Sequence, residues 1–176
     1  MNPIFTTIDE KTTSLVFYND PYTKIKFVNE IINSYKIPIL YVDFDLLFSG
    51  YYESGLISKI PNIDIFHPNE ENYLEIISEV IKKAALETTI IILDSLNGLH
   101  NTLNKISNSG RLVNSLIMFM SYNIRFSNSK LIIPSLSEKK ENQWVLSTTK
   151  RHILETENMN RFHIEENSSK LQVQIL

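Results

Sequence analysis

The stretch "LVFYNDPYTKIKF" (residues 15–27) contains an apolar run, a polar turn and the start of a helical pattern in direct succession. The run "SLVFY" (14–18) is bounded by polar residues and predicts a buried strand. Apolar residues then recur every three or four positions, at Ile25, Val28, Ile31, Ile32 and Tyr35. This spacing is typical of an amphipathic helix, so the stretch predicts a strand–turn–helix unit.

The alternation of strands and helices continues through the middle of the chain. Strands are predicted at "IPILYVDFD" (37–45), "IDIF" (63–66), "TTIIILD" (88–94) and "KLIIPS" (130–135). A helix capped by Asn69 is predicted before the third of these strands, with a buried stripe formed by Tyr73, Ile76, Ile77, Val80, Ile81 and Ala84. "LVNSLIMFMSYNI" (112–124) is interpreted as a helix buried in the core, because it is strongly apolar and too short to span a membrane.

The C-terminal part has a different pattern. "RFHIEE" (161–166) and "KLQVQIL" (170–176) alternate apolar and polar residues, which predicts an antiparallel hairpin, and "HILE" (152–155) is predicted to add a strand before it. Continuous apolar strands that alternate with helices indicate a buried parallel sheet. The predicted fold is therefore α/β, with a mainly parallel central sheet flanked by helices, a C-terminal antiparallel hairpin and a single domain over residues 1–176.

The composition is that of an ordinary folded protein, with 43% hydrophobic and 21% charged residues and a formal net charge of −3. This acidic balance argues against a protein that coats nucleic acid, but Lys139, Lys140, Lys150 and Arg151 leave a local basic patch open. The chain has no cysteine and its histidines lack ligand spacing, so no metal site is predicted. The N-terminus has no signal-peptide pattern, and a cytoplasmic protein without membrane contact is expected.

Lys24 stands where the lysine of a phosphate-binding loop, GxxxxGK[ST], would stand. In such a loop the glycines let backbone amides surround the phosphates, the lysine reaches the terminal phosphates and the hydroxyl holds Mg²⁺. Aligned on Lys24, the chain has Tyr18 and Thr23 at the glycine positions and Ile25 at the hydroxyl position. Only the lysine is retained, and Lys24 is expected to be a solvated residue in the first turn of the helix.

Aspartates follow two of the predicted strands. Asp94 ends "TIIIL", where a Walker B carboxylate would orient Mg²⁺, although an aspartate there is also a common helix cap or turn former. Asp43 and Asp45 are separated by one residue, so they either point together into one site or flank a buried Phe44. Ser95 lacks the first glycine of a nucleophile elbow and is not expected to be a hydrolase serine.

This order of elements resembles the core of the RecA-like ATPases, which include the RecA and RadA recombinases, KaiC and the ATPase-like subunits of Elongator. The resemblance covers the chain from about Ser14 to its end. "ILDSLNGL" (92–99) is similar to the family's apolar strand ending in Asp-Ser, and the tail from Trp144 resembles its late strands and closing hairpin. "YVDFD" (41–45) resembles the strand whose end carries the catalytic acid, with Asp45 nearest that position, where the family commonly has Glu.

The resemblance implies a RecA-like P-loop NTPase fold with a degenerate phosphate loop. The leading hypothesis is a pseudo-ATPase without catalytic residues or cofactor, acting as a structural or regulatory subunit of a homo-oligomer or of a complex with a related RecA-like subunit. The first alternative is an ATPase with an unusual loop, which would bind ATP and Mg²⁺ through Lys24, Asp45 and Asp94. The second alternative is a nucleic-acid-binding module of the recombinase-paralogue or Elongator type.

Overall fold

The computed structural model describes residues 3–140, 143–146, 157–167 and 170–176. Its strands are β1 (Thr13–Tyr18), β2 (Ile39–Asp43), β3 (Ile63–Phe66), β4 (Ile90–Asp94), β5 (Lys130–Lys140), β6 (Gln143–Leu146), β7 (Met159–Asn167) and β8 (Lys170–Ile175). Its helices are α1 (Pro3–Glu10), α2 (Pro21–Ser34), α3 (Leu47–Glu53), α4 (Tyr73–Leu86), α5 (Leu96–Thr102) and α6 (Ser109–Ile124), which continues into a 3₁₀ turn at Arg125–Ser127. The predicted strand at 152–155 lies outside the described residues.

Within the described residues, the strands form one eight-stranded sheet in the order β3-β2-β4-β5-β1-β7-β8, with β6 paired to β5. The neighbours from β3 to β7 in this order run parallel to one another. β6 pairs antiparallel with β5, and β8 pairs antiparallel with β7 from Phe162↔Ile175 to Asn167↔Lys170. The mainly parallel sheet and the C-terminal hairpin are therefore confirmed.

Helices cover both faces of the sheet. On one face, called the α2 side, α1, α2 and α3 pack against strand residues such as Val16 and Ile92. On the other face, the α6 side, α4, α5 and α6 pack against strand residues such as Leu15 and Ile91. Successive strand residues point to opposite faces, which is why neighbours in sequence belong to different layers. The strands β1, β2 and β4 are buried along their whole length, as their continuous apolar runs indicate.

Two of the predicted helices differ in detail from the structure. α4 begins at Tyr73, and the Asn69 side chain instead accepts backbone hydrogen bonds from Glu71 and Asn72 in the preceding turn, so its prediction as the helix cap was wrong. The interpretation of α6 as a helix buried in the core holds for one face only, because Met118, Phe119 and other side chains on its outer face are exposed. A helix in an outer layer buries only one face. Within the described residues, no helix has both the length and the apolar character needed to cross a bilayer.

α5 approaches the end of β2 at close range. A Cβ built on Gly98 would lie 2.7 Å from the Cβ of Phe44 and 3.3 Å from its carbonyl carbon. Ser95 caps α5, with its Oγ accepting a hydrogen bond from the Gly98 N–H at 3.1 Å. The Phe44 N–H donates to the Asp94 carbonyl, with the nitrogen and oxygen 2.6 Å apart. Glycine at position 98 therefore allows α5, Phe44 and the end of β4 to pack together.

Substitution of Gly98 with alanine is expected to lower the free energy of unfolding by about 1–3 kcal/mol, because the new methyl group must displace Phe44. Gly110→Ala is the matched control, since nothing lies within 4 Å of a Cβ built at that position in α6. The control is expected to be neutral or to raise the free energy of unfolding by up to about 1 kcal/mol. Urea unfolding followed by circular dichroism measures both variants, and equal effects would contradict the close packing.

Candidate functional site

The carboxyl ends of β2 and β4 lie side by side, and Asp43 is opposite Asp94 in the parallel register. Ligand sites in sheets of this kind lie beyond the carboxyl ends of the strands. In the part of the chain that the structure describes, carboxylate oxygens of Asp43, Asp45 and Asp94 lie within 4.8 Å of one another. The side chain of Lys24 extends from α2 to the carboxylates of Asp45 and Asp94. We refer to Lys24, Asp45, Asp94 and the neighbouring Tyr41 as the Lys24 cluster.

The Lys24 ammonium contacts three carboxylate oxygens. Its Nζ lies 3.0 Å from Asp45 Oδ2 and 2.9 Å from each of the two oxygens of Asp94. An ammonium group has three N–H donors, so these contacts satisfy its full capacity. The structure thus brings together Lys24, Asp45 and Asp94, the three residues that the ATP-binding alternative requires.

The prediction that Lys24 is solvated was wrong, since its side chain is only 1% exposed. Lys24 lies on the same face of α2 as the buried residues Phe27, Val28 and Ile31. The residues of that face follow the i, i+3, i+4, i+7 spacing, and this spacing is the feature of the sequence that indicates that Lys24 is buried. Its partners are 21 and 70 residues away along the chain, so the local sequence could not indicate them.

The turn that leads into α2 is short. β1 ends at Tyr18 and α2 begins at Pro21, so Asn19 and Asp20 alone connect them. The Asp20 carboxylate accepts hydrogen bonds from the Thr23 backbone N–H at 2.9 Å and from the Thr23 hydroxyl at 3.2 Å. Pro21 at the first helical position has no N–H to donate. The N-terminus of α2 is therefore capped by an anionic side chain of the protein itself.

The charges of the Lys24 cluster are mutually dependent. Burial alone would lower the pKa of Lys24, but the carboxylates of Asp94 and Asp45 outweigh this effect and hold the pKa above its ordinary value. Complete burial raises the pKa of Asp94 to about 6, against the opposing effect of the Lys24 ammonium. Lys24 and the Tyr41 hydroxyl both donate to the Asp94 carboxylate, and these contacts favour its ionised form, with the ammonium as counter-ion.

Two tyrosines that the sequence analysis did not propose as site residues belong to the cluster or adjoin it. The Tyr41 hydroxyl donates a hydrogen bond to Asp94, and burial together with that carboxylate raises the pKa of Tyr41. Tyr18 lies beside Lys24, whose Nζ is 5.8 Å from the centre of its ring, and burial raises the pKa of Tyr18 to about 12. Strand alternation places Tyr41 on the same face as Asp43, and this pattern in the sequence could have indicated Tyr41 as a residue of the site.

Asp43 has a separate role at the start of α3. It is fully buried, and its carboxylate accepts hydrogen bonds from the backbone N–H groups of Leu46 at 2.8 Å and Ser49 at 2.9 Å. The Ser49 hydroxyl also donates to Asp43 and lies 2.8 Å from Nε2 of His67. A catalytic triad has histidine between serine and aspartate, whereas here serine is in the middle. Asp43 therefore stabilises α3, while Asp45 reaches Lys24.

Comparison with known proteins bears on the fold. The chain matches no protein-family model, and no curated protein sequence matches it. Among solved structures it is similar to a KaiC-like protein from the hyperthermophilic archaeon Pyrococcus horikoshii OT3, with a TM-score of 0.51. The match covers 94% of this chain and 77% of that chain, at 16% sequence identity. The likeness shows the fold alone: the chain shares the α/β fold of that KaiC-like protein, in agreement with the fold class that the sequence predicted.

Substitution of Lys24 with methionine is expected to lower the free energy of unfolding by about 3–5 kcal/mol, because Asp94 would lose its buried counter-ion. Combined with Asp94→Asn, the loss should be smaller than the sum of the two single losses by about 2 kcal/mol or more. Lys26→Met is the matched control. It removes a 2.7 Å ion pair with Glu166 in which both side chains are about a quarter exposed, and should cost less than about 1 kcal/mol. Urea unfolding of the four variants measures the coupling, and additive losses for Lys24 and Asp94 would contradict it.

The stability of the protein is expected to fall as the pH rises from about 10 towards about 12. The folded state raises the pKa of Tyr18 from 10.0 to about 12, so its contribution is complete below pH 10 and is lost through the raised pKa. The raised pKa of Lys24 acts in the same direction. Tyr18→Phe should reduce this loss by up to about 2–3 kcal/mol, measured from urea midpoints at pH 9 and pH 12. Tyr22→Phe, which alters an exposed tyrosine of α2, should leave the loss unchanged.

Proposed function

We propose that this protein is a RecA-like scaffold that does not hydrolyse ATP and that acts as a structural or regulatory subunit of an oligomeric assembly. The observation that carries the proposal is the position of the Lys24 ammonium. Its three donors all point to carboxylate oxygens inside the protein, at 2.9 to 3.0 Å. A lysine that binds the terminal phosphates of a nucleotide needs those donors for the phosphate oxygens.

The N-terminus of α2 supports the same conclusion. Helix N-termini bind phosphate because their backbone N–H groups are free and their dipole favours negative charge. Here Asp20 already supplies the negative group and accepts the Thr23 N–H, and Pro21 contributes no donor. A phosphate at this position would have to displace the Asp20 carboxylate and would be repelled by it.

The electrostatic balance of the site is also unfavourable for a nucleotide. Asp43, Asp45 and Asp94 bring three carboxylates to the carboxyl ends of β2 and β4, against the single ammonium of Lys24. Carboxylates are suitable ligands for Mg²⁺, but a metal ion would have to displace the ammonium from Asp45 and Asp94. The residues do not fit a Mg²⁺–ATP complex in this arrangement, so we assign no phosphoryl-transfer step to Asp45 or Asp94.

The proposed role of the Lys24 cluster is structural. The ammonium links α2 to the ends of β2 and β4, which are the elements that form a nucleotide site in RecA-like ATPases. Members of this group commonly assemble with copies of themselves or with related RecA-like subunits, and we expect one of these two kinds of partner. The protein would then contribute its surface to the assembly, while its former ligand site serves as part of the core.

The second candidate function is ATP binding through an unusual loop. It is favoured by one observation, namely that the fold brings Lys24, Asp45 and Asp94 within hydrogen-bonding distance. In this case Lys24 would leave both aspartates when the nucleotide binds. The nucleic-acid alternative depends on Lys139, Lys140, Lys150 and Arg151, the last two of which lie outside the described residues, so it stays a prediction.

Calorimetric titration with ATP and Mg²⁺ distinguishes the first two functions. We expect no binding at millimolar nucleotide, because the donors and the helix N-terminus are already satisfied. Micromolar binding by the wild-type protein would overturn the proposal. Loss of that binding in a folded Lys24→Gln variant, with retention in Lys26→Gln, would then establish the ATP-binding alternative, because Lys26 pairs with Glu166 at 2.7 Å, away from the Lys24 cluster.

A further inference from the structure

The outer surface of α6 and its 3₁₀ extension is apolar. Met118, Phe119, Tyr122 and Phe126 follow the spacing that places side chains on one side of a helix, and we refer to these four residues as the α6 face. Their exposed fractions range from 50% to 73%. The opposite side of the helix packs in the core through Val113, Leu116, Ile117, Met120 and Ile124. α6 is therefore apolar on both of its sides, which is the pattern of a helix covered from both directions.

Charged side chains are scarce along this segment. Residues 112–129 contain a single charged residue, Arg125. Its guanidinium lies 4.2 Å from the ring centre of Tyr122 and 4.6 Å from that of Phe126, so the charge stacks on the aromatic surface. If a fully exposed side chain presents about 200 Å², the four residues offer roughly 500 Å² of apolar surface. An exposed patch of this size usually marks an interaction site.

A cavity of about 200 Å³ opens beside the α6 face. It is lined by Thr13 and Met159, where β1 and β7 begin, and by Met118, Tyr122 and Arg125 of α6 and its extension. Small-molecule sites usually have volumes of about 300–1,000 Å³, so this cavity is the size of a side chain rather than of a ligand. The same surface therefore presents protruding aromatic side chains and a recess that fits one.

We infer that a second copy of this chain covers the α6 face, with the two α6 helices antiparallel about a two-fold axis and an aromatic side chain of each copy in the cavity of the other. A two-fold interface pairs one patch with itself, so a single surface must supply both the protrusion and the recess. The α6 face supplies both. The inference extends the proposed structural role, on which it rests for the expectation that the chain assembles, by naming the surface and the partner.

The charge distribution fits this arrangement. If the two helices cross near Phe119 and Tyr122, Arg125 of one copy lies near the exposed Ser115 of the other copy. The two guanidinium groups are then separated by about 15 Å along the helix axis, which avoids like-charge repulsion.

The apolar area of the α6 face is a large part of what a dimer interface needs. A standard interface buries about 800 Å² per partner, more than half of which is available from the four side chains of the α6 face. Leu86, at the end of α4, is 88% exposed, and α4 contacts the 3₁₀ turn that carries Phe126. An exposed leucine is thus present on a helix that adjoins the α6 face.

The oligomeric state in solution tests the inference. Sedimentation equilibrium of the wild-type chain from 1 to 100 μM should give a species of twice the mass of one chain. Phe119→Glu should weaken the dimer at least tenfold, because the carboxylate would be buried in an apolar interface. Leu74→Glu is the matched control. Leu74, like Phe119, is an exposed apolar residue on a helix, but it belongs to α4 and lies outside the α6 face. It should leave the dimer unchanged.

Cross-linking tests the geometry independently. The chain has no cysteine, so Met118→Cys introduces a single thiol at the proposed interface. Residue 118 of one copy would lie about 7 Å along the helix axis from residue 118 of the other, which is too far for a direct disulfide. A thiol-specific cross-linker that spans about 10 Å should therefore give a covalent dimer for Met118→Cys and none for Leu74→Cys. A wild-type chain that is monomeric at every concentration, or a dimer that is unaffected by Phe119→Glu, would overturn the inference. Titration of the same samples with ATP and Mg²⁺ separates the two proposals, because nucleotide binding would overturn the pseudo-ATPase role alone and leave the α6 dimer standing.

Discussion

One buried ammonium group holds the carboxyl edge of the sheet together. Lys24 reaches this edge from α2 and pairs with Asp45, just beyond β2, and with Asp94, the last residue of β4. Asp94 has no solvent exposure, so its charge depends on Lys24 and on the Tyr41 hydroxyl. Removing Lys24 would leave the Asp94 carboxylate charged and without a counter-ion in an interior of low polarity. The position of α2 on the sheet is therefore set by charge pairing as well as by apolar packing.

The Lys24 cluster and the α6 face belong to opposite layers of the protein. α2 packs on one face of the sheet and α6 on the other, with the buried strands between them. A partner bound to the outer surface of α6 would therefore not contact Lys24 or its carboxylates. The two features are separate parts of one scaffold. The charges of the Lys24 cluster are paired inside the protein, whereas the apolar side chains of the α6 face are exposed on its surface.

Much of the fold could be predicted because it depends on periodicity. The apolar runs of β1, β2 and β4, and the buried stripe of α4 from Tyr73 to Ala84, are local signals. The short helices α1, α3 and α5 give few helical turns and were not predicted, nor was the pairing of β6 with β5. The structure brings together Lys24, Asp45 and Asp94, which the sequence offered only for the ATP-binding alternative. The burial of Lys24 was not predicted, since lysine is usually exposed and its partners are distant in sequence.

The short turn between β1 and α2 restricts how a chain of this kind could acquire a phosphate-binding loop. A phosphate loop leaves about five residues before its lysine unwound, so that backbone amides can surround the phosphates. Here α2 has already begun at Pro21, three positions before Lys24, and Asp20 fixes that start. Glycine substitutions at positions 18 and 23 would change the residue types but would leave a strand end and a helical turn in place. Tyr18 and Lys24 already have the spacing of the first glycine and the lysine in GxxxxGK, so the obstacle is conformation rather than length. Asp20 and Pro21, which fix the start of α2, would have to change together with positions 18 and 23 before the backbone amides could surround a phosphate.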